Sequence, residues 1–205
     1  MTSKYLINYF PAVSRIEYRV FDITGEWSEA GYTLSINSQT RRDNNIAVTP
    51  ESYSCPAFSG TKMQWENPVG NKTRSLKNGP GVSSNDIYYI GEGINENDNF
   101  IYPYEAILTY NPIAGEVIEQ RSKVFTSCLD NTVIVPSFHW KYKTIAHYET
   151  WGGFADVWRT GLHEITSNHV YNYIFAKDIG MVDFWHGSID KYNNVKGVRY
   201  FAQTP

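Results

Sequence analysis

The stretch from Tyr171 to Trp185 constrains the fold more than any other part of the chain. An aromatic-rich run, Tyr171 to Ala176, alternates polar and apolar positions, halts at Asp178-Ile179-Gly180, and resumes as a second run ending in Phe184 and Trp185. Alternation sends successive side chains to opposite faces of a strand. Gly180 is free to take the positive φ that a short bulged loop demands. The segment therefore predicts an antiparallel hairpin, and with it an all-β class. All five histidines, His139, His147, His163, His169 and His186, fall in the same third of the chain.

The same period recurs upstream. Arg15 to Val20 and Tyr32 to Asn37 alternate, and the turn-rich residues Thr24 to Gly31 lie between them, which predicts a second hairpin with one wet face. Further strands are expected at about 86–91, 100–110, 115–126, 131–138, 141–149, 169–178, 181–189 and 195–202. The strongest helical pattern, around 151–164, contains Gly152, Gly153 and Gly161 and would make a short helix at most. About ten strands with little helix predict an antiparallel barrel or a strongly curved two-sheet sandwich.

A single β domain over residues 1–205 is consistent with this length. Residues 38–85 form a polar excursion within it, dense in Asn, Ser, Thr, Pro and Gly around scattered Tyr53, Phe58, Met63 and Trp65. A structureless loop of that size is unusual in a compact domain, so short irregular strands are favoured there over an excursion across a barrel mouth.

Hydrophobic residues make up only 41% of the chain, but aromatics reach 16%, with 16 Tyr and 6 Trp. Each buried aromatic removes about 150–250 Å² from water, so a modest number fills a core. A net charge of −3 argues against binding to nucleic-acid phosphates, which calls for a basic surface. No apolar run approaches the roughly 18 residues of a membrane-spanning helix. The first residues hold no apolar stretch of signal-peptide length, which leaves an intracellular protein or a mature chain that has lost its signal. Cys55 and Cys128 lie far apart and outside any CxxC pair. One disulfide across a long loop and two unpaired thiols are equally open, whereas zinc-ribbon and thioredoxin-like chemistry is not. Asn71-Lys72-Thr73 fits the N-glycosylation triplet, a pattern too common to decide anything.

The hairpin from Tyr173 to Phe184, with its Ala176-Lys177-Asp178-Ile179-Gly180 bend followed by Met181-Val182, resembles a pattern in bacterial cell-envelope lipoproteins and related uncharacterised β-barrel proteins. The resemblance covers about 15 residues. It implies an antiparallel barrel or half-barrel outside the cytoplasm, with a ligand not yet assigned. The lipobox cysteine and signal of such proteins are missing here. Gly25-Glu26-Trp27 resembles the Gly-x-Trp of lipocalins, where it sits on the first strand, whereas the local composition here predicts a turn.

Candidate chemistry is sparse. Strand-borne metal ligands usually come as His-x-His, but the histidine spacings are eight, sixteen, six and seventeen. His163-Glu164 begins a zincin-like motif whose second histidine position holds Ser167. A site assembled across strands from His139, His147 and His186 with Asp183 or Asp156 is conceivable, but ordinary half-buried imidazoles are favoured. No Gly-x-Ser-x-Gly elbow exists, and Ser83-Ser84 lies in a polar loop. Glu149, Asp156, Glu164 and Asp183 offer carboxylates for glycoside chemistry, with Trp151, Trp158 and Trp185 able to stack on sugars, though any acid-rich chain offers such a set. Gly91-Glu92-Gly93 lacks a third glycine, and Asn95 to Asn99 lacks EF-hand spacing.

What remains is the aromatic inventory, for which plain packing of a β core short of aliphatics is slightly favoured over a subset that lines a cavity or recognition surface. The sequence points to a non-enzymatic extracytoplasmic module that holds an apolar or glycan-like ligand on aromatic side chains, with Trp151, Trp158, Tyr173 and Trp185 as contact residues. No cofactor, catalytic residue or metal is expected. A protein partner or self-association, as in a virion or surface-layer protein, is the first alternative. A hydrolase with a strand-borne His/Asp site is the second.

Overall fold

The computed structural model describes residues 9, 15–48, 51–52, 61–66, 72–77, 87–93, 100–101, 106–109, 112–122, 125–127, 133–134 and 137–203. Cys55, Cys128, Asn71, Tyr53, Phe58, Ser83, Ser84 and the run from Asn95 to Asn99 lie outside them. Among the described residues, seventeen strands follow one another: β1 (Ile16–Ser28), β2 (Thr33–Arg41), β3 (Ile46–Val48), β4 (Glu51–Ser52), β5 (Thr61–Glu66), β6 (Lys72–Lys77), β7 (Ile87–Gly93), β8 (Phe100–Ile101) and β9 (Ala106–Thr109). Then come β10 (Val117–Ser122), β11 (Phe125–Ser127), β12 (Val133–Ile134), β13 (Ser137–Trp151), β14 (Phe154–Glu164), β15 (His169–Ala176), β16 (Gly180–Ile189) and β17 (Asn194–Ala202). Among the described residues, no helix is long and apolar enough to cross a membrane.

Nine strands build one antiparallel sheet in the order β10-β13-β14-β15-β16-β17-β1-β2, and β3 pairs with β1 past the end of β2. Among the described residues the sheet does not close into a barrel, and β10 and β2 form its two edges. Five shorter strands form β4-β5-β6-β7-β9, and three more form β12-β11-β8.

The β15–β16 hairpin forms as the alternating pattern demands. Asp178 (φ 62°) and Gly180 (φ 104°) occupy the left-handed region at its bend. Tyr171, Tyr173 and Phe175 share one face with successive ring centroids 6.3 and 6.0 Å apart, and Tyr173 meets Phe184 across the strands at 5.1 Å. Aromatic pairs of this kind stabilise a ladder by up to about 1 kcal/mol each.

Two expectations are corrected by strand pairing. Residues 151–164 are not helical: β14 is extended and bonded to β13 on one side and β15 on the other. Two glycines that would weaken a helix instead turn the chain, with Gly152 at φ 58° and Gly153 at φ 89°. The second correction concerns Thr24 to Ser28, which continue β1 between β17 and β2 past a bulge at Thr24/Gly25, so Gly25-Glu26-Trp27 lies on the first strand and only Glu29 to Tyr32 turn.

Each face of the sheet carries a core. On one, Tyr18, Val20, Tyr142, Leu162, Tyr173, Phe175, Phe184 and Tyr200 pack with Tyr9 and Leu108 of β9. On the other, Ile23, Trp27, Tyr32, Leu34, Val170, Trp185 and Val195 form a smaller cluster. The β1–β2 turn folds across this second face. Lys143 Nζ donates to the Ala30 carbonyl at 2.8 Å, and the Trp27 ring meets Tyr32 and Trp185 edge-on at 5.9 and 6.0 Å. Close approach requires Gly161 there, because a Cβ would lie 2.5 Å from the Tyr32 carbonyl oxygen.

Candidate functional site: a cleft at the β13–β14 hairpin

The two-glycine turn sets the register of β13 against β14. His147 lies opposite Trp158, Tyr148 opposite Val157 and Thr150 opposite Ala155, which brings Glu149 beside Asp156 on the same face as His147 and Trp158. Asp156 itself has φ 51°, a conformation that aspartate tolerates better than most residues.

A second segment walls the site. Gly115 N donates to the Thr144 carbonyl at 2.8 Å, and Thr144 N donates to the Glu116 carbonyl at 3.0 Å, pinning the turn before β10 to β13. Pro112 and the exposed Ile113 thereby face His147, Glu149, Ala155, Asp156 and Trp158 across an open cleft of about 610 Å³.

Asp156 is the electrostatic centre. Its Oδ1 accepts from the Tyr9 hydroxyl at 2.6 Å and from His147 Nε2 at 2.6 Å, and Lys177 Nζ stands 3.6 Å from Oδ2. Partial burial pushes this carboxyl up, but the hydrogen bonds from Tyr9 and His147, with the His147 and Lys177 charges, hold it below its usual range. An ionised carboxylate only accepts, so His147 donates through Nε2 and a neutral ring presents Nδ1 as an acceptor. The imidazole leans on Trp158 at 4.6 Å between centroids. Trp158 Nε1 is buried and has no acceptor among the described residues. The cleft thus joins an apolar wall to a fixed imidazole and two carboxylates.

The four aromatics expected to contact ligand do not converge. Trp158 lines the cleft. Trp151 packs edge-on against Phe201 at 5.7 Å. Tyr173 and Trp185 are 6% and 3% exposed and belong to the two different cores, on opposite sides of the sheet.

The cross-strand metal set is dispersed as well. His147 pairs with Asp156, His139 Nε2 lies 2.7 Å from Glu119, and Asp183 is held by Arg199. His186 Nδ1 meets His169 Nε2 at 3.0 Å with ring centroids 5.3 Å apart, a head-on arrangement in which one proton is shared. No group of three potential metal ligands occurs among the described residues.

Sequence reasoning singled out His147, Asp156 and Glu149 separately but missed Tyr9, Lys177 and Ile113. The usable signal was Trp151-Gly152-Gly153-Phe154, a two-residue type I′ turn between two runs that both alternate. Read as a hairpin, it places His147 opposite Trp158. No family model matches the sequence, and no curated protein or solved structure is significantly similar to it.

Proposed function

We propose that this protein is a binding module of the cell envelope or extracellular space, whose β13–β14 cleft holds a polyhydroxylated, glycan-like ligand. One observation carries the reading: a cleft of about 610 Å³ whose wall is formed by the Trp158 ring beside the fixed His147–Asp156 pair. Sugars offer both an apolar ring face and hydroxyls that donate and accept, which suits Trp158, Ile113 and Pro112 along the wall and Glu149 and His147 Nδ1 at the edge. The open antiparallel sheet with the β1–β2 turn folded over one face supports an incomplete barrel as its scaffold. The envelope setting is supported by the likeness of the Tyr173 to Phe184 hairpin to envelope lipoproteins.

The test is a panel of neutral oligosaccharides titrated by calorimetry against wild type, Trp158→Ala and the remote Trp185→Phe. Saturable binding that Trp158→Ala abolishes and Trp185→Phe preserves is the expected result. Binding that survives Trp158→Ala would place the ligand elsewhere.

The 2.6 Å His147–Asp156 contact favours one second reading, a hydrolase in which the carboxylate orients the imidazole for proton transfer. Turnover of a bound sugar that Asp156→Asn removes while affinity persists would select it.

A further inference from the structure

Two adjacent rows of side chains cross the sheet on the side away from the cleft. The register runs Arg159, Ile174, Asp183, Phe201, Arg19 across β14, β15, β16, β17 and β1. The neighbouring row runs Gly161, Asn172, Trp185, Arg199, Phe21, Arg41 and reaches β2. Trp158 and Arg159 are consecutive on β14, so the cleft and this strip occupy opposite faces.

Four guanidiniums therefore share a face with two acids, Asp183 and, at the rim, Glu17, in a chain whose net charge is −3. Asp183 is already committed: Arg199 Nε lies 3.0 and 3.1 Å from its two oxygens, the Arg199 terminal nitrogen lies 2.7 Å from Oδ2, and the Arg159 charge acts on it as well. Glu17, at the rim, accepts from Asn45 at 3.0 Å. Arg19 and Arg41 are exposed, and Arg159 is half-buried.

Arg159 is posed rather than loose. Asn172, 1% exposed, donates from Nδ2 to the Thr160 carbonyl at 2.6 Å, which turns its Oδ1 to accept from Arg159 Nε at 2.9 Å. This fixes the guanidinium plane and leaves its two terminal nitrogens with no acceptor among the described residues. A fixed fork of that kind matches the two oxygens of a carboxylate.

The spacing decides what sort of acid fits. Arg159 and Arg19 stand four strand intervals apart, about 19 Å along the sheet, which several units of a polymer span and a single small anion does not. The rings between them are occupied. Arg199 lies over Phe201 at 5.1 Å, Trp185 is buried and Phe21 packs against the second core, so these rings are not the open stacking platforms that nucleic-acid bases require.

We infer that this arginine strip binds a linear acidic polysaccharide, whose carboxylates pair with Arg159, Arg41 and Arg19. The site is independent of the cleft and of its proposed ligand.

Hexagalacturonate, maltohexaose and an oligothymidylate of similar length test the inference by calorimetry on the full chain. Hexagalacturonate should bind, should weaken as salt rises, and should outcompete the other two. Arg19→Gln with Arg159→Gln should lower that affinity about tenfold or more, since each removes a charge-assisted pair. Trp158→Ala should leave it unchanged. Arg19 is exposed, so Arg19→Gln alone serves should Arg159→Gln disturb packing. Absence of hexagalacturonate binding, undiminished affinity in the variants, or tighter binding of oligothymidylate would each overturn the assignment.

Discussion

His186 shows how one buried ring ties this protein to pH. It stacks with Phe184 at 5.5 Å and with Tyr200 at 6.2 Å, and its Nε2 has no partner among the described residues. Burial, then the nearby His169 and Arg42, pushes its imidazole down to about 4, and burial lowers His169 as well. An unfolded histidine takes its proton near pH 6.5. The folded protein resists that proton, so the histidine contribution to stability is complete above about pH 6.5 and is lost as the pH falls from there toward 4. The carboxylates Asp22, Asp156 and Asp190 are held low, so their contributions are lost only below about pH 4. The two sets of groups therefore act on either side of about pH 4, apart from Asp183, whose carboxyl burial pushes up despite the Arg199 beside it. His186→Phe, which keeps a ring in the stack, should flatten the fall in stability between pH 6.5 and 4 by at most roughly 3 kcal/mol. Thermal melts across that range check it, and a variant curve parallel to wild type would remove His186 as the cause.

At the scale of elements, hairpins were legible to the extent that both their strands alternate and their turn residues permit positive φ. Tyr171 to Trp185 met both conditions, and the structure bends it at Asp178 and Gly180. The β13–β14 hairpin met them too, but the pattern over 151–164 suggested a helix that its three glycines kept short at most. Pairing on both sides of β14 overrides that local preference. The cleft shared this fate, because His147 and Trp158 become neighbours only when the turn is placed between them. The contribution of Tyr9, far away in the chain, had no local signature at all. Folding of the β1–β2 turn over the second face was equally hidden, since it depends on the missing Cβ of Gly161 rather than on any pattern. Gly161→Ala should push Tyr32 away and loosen the Trp27–Trp185 contact, destabilising the protein by about 1–3 kcal/mol. Reduced near-ultraviolet dichroism from these tryptophans, with far-ultraviolet signal retained, is the expected signature. An unchanged aromatic spectrum would show that the turn does not rely on this contact.

For the whole molecule, charge and topology matter more than any single contact. A net charge of −3 concealed the arginine strip, because composition sums over faces that strand register separates. All-β class was readable from alternation alone, whereas strand order was not, since it is decided by partners far apart in the chain. The clearest instance is β1, which lies inside the sheet between β2 and β17, with Tyr18 opposite Ala202 and Glu26 opposite Asn194. Loop closure across that distance is slow compared with hairpin formation. A chain ending at residue 193 should therefore retain little cooperative unfolding, and adding a peptide of residues 194–203 should restore it. Melting of the truncated chain as sharply as wild type would refute this. During synthesis the consequence is one of timing. One long side of β1, from residue 18 to 26, stays without its partner until residue 202 has left the ribosome, and for that interval the nascent chain displays an unpaired strand edge that must be kept from other chains.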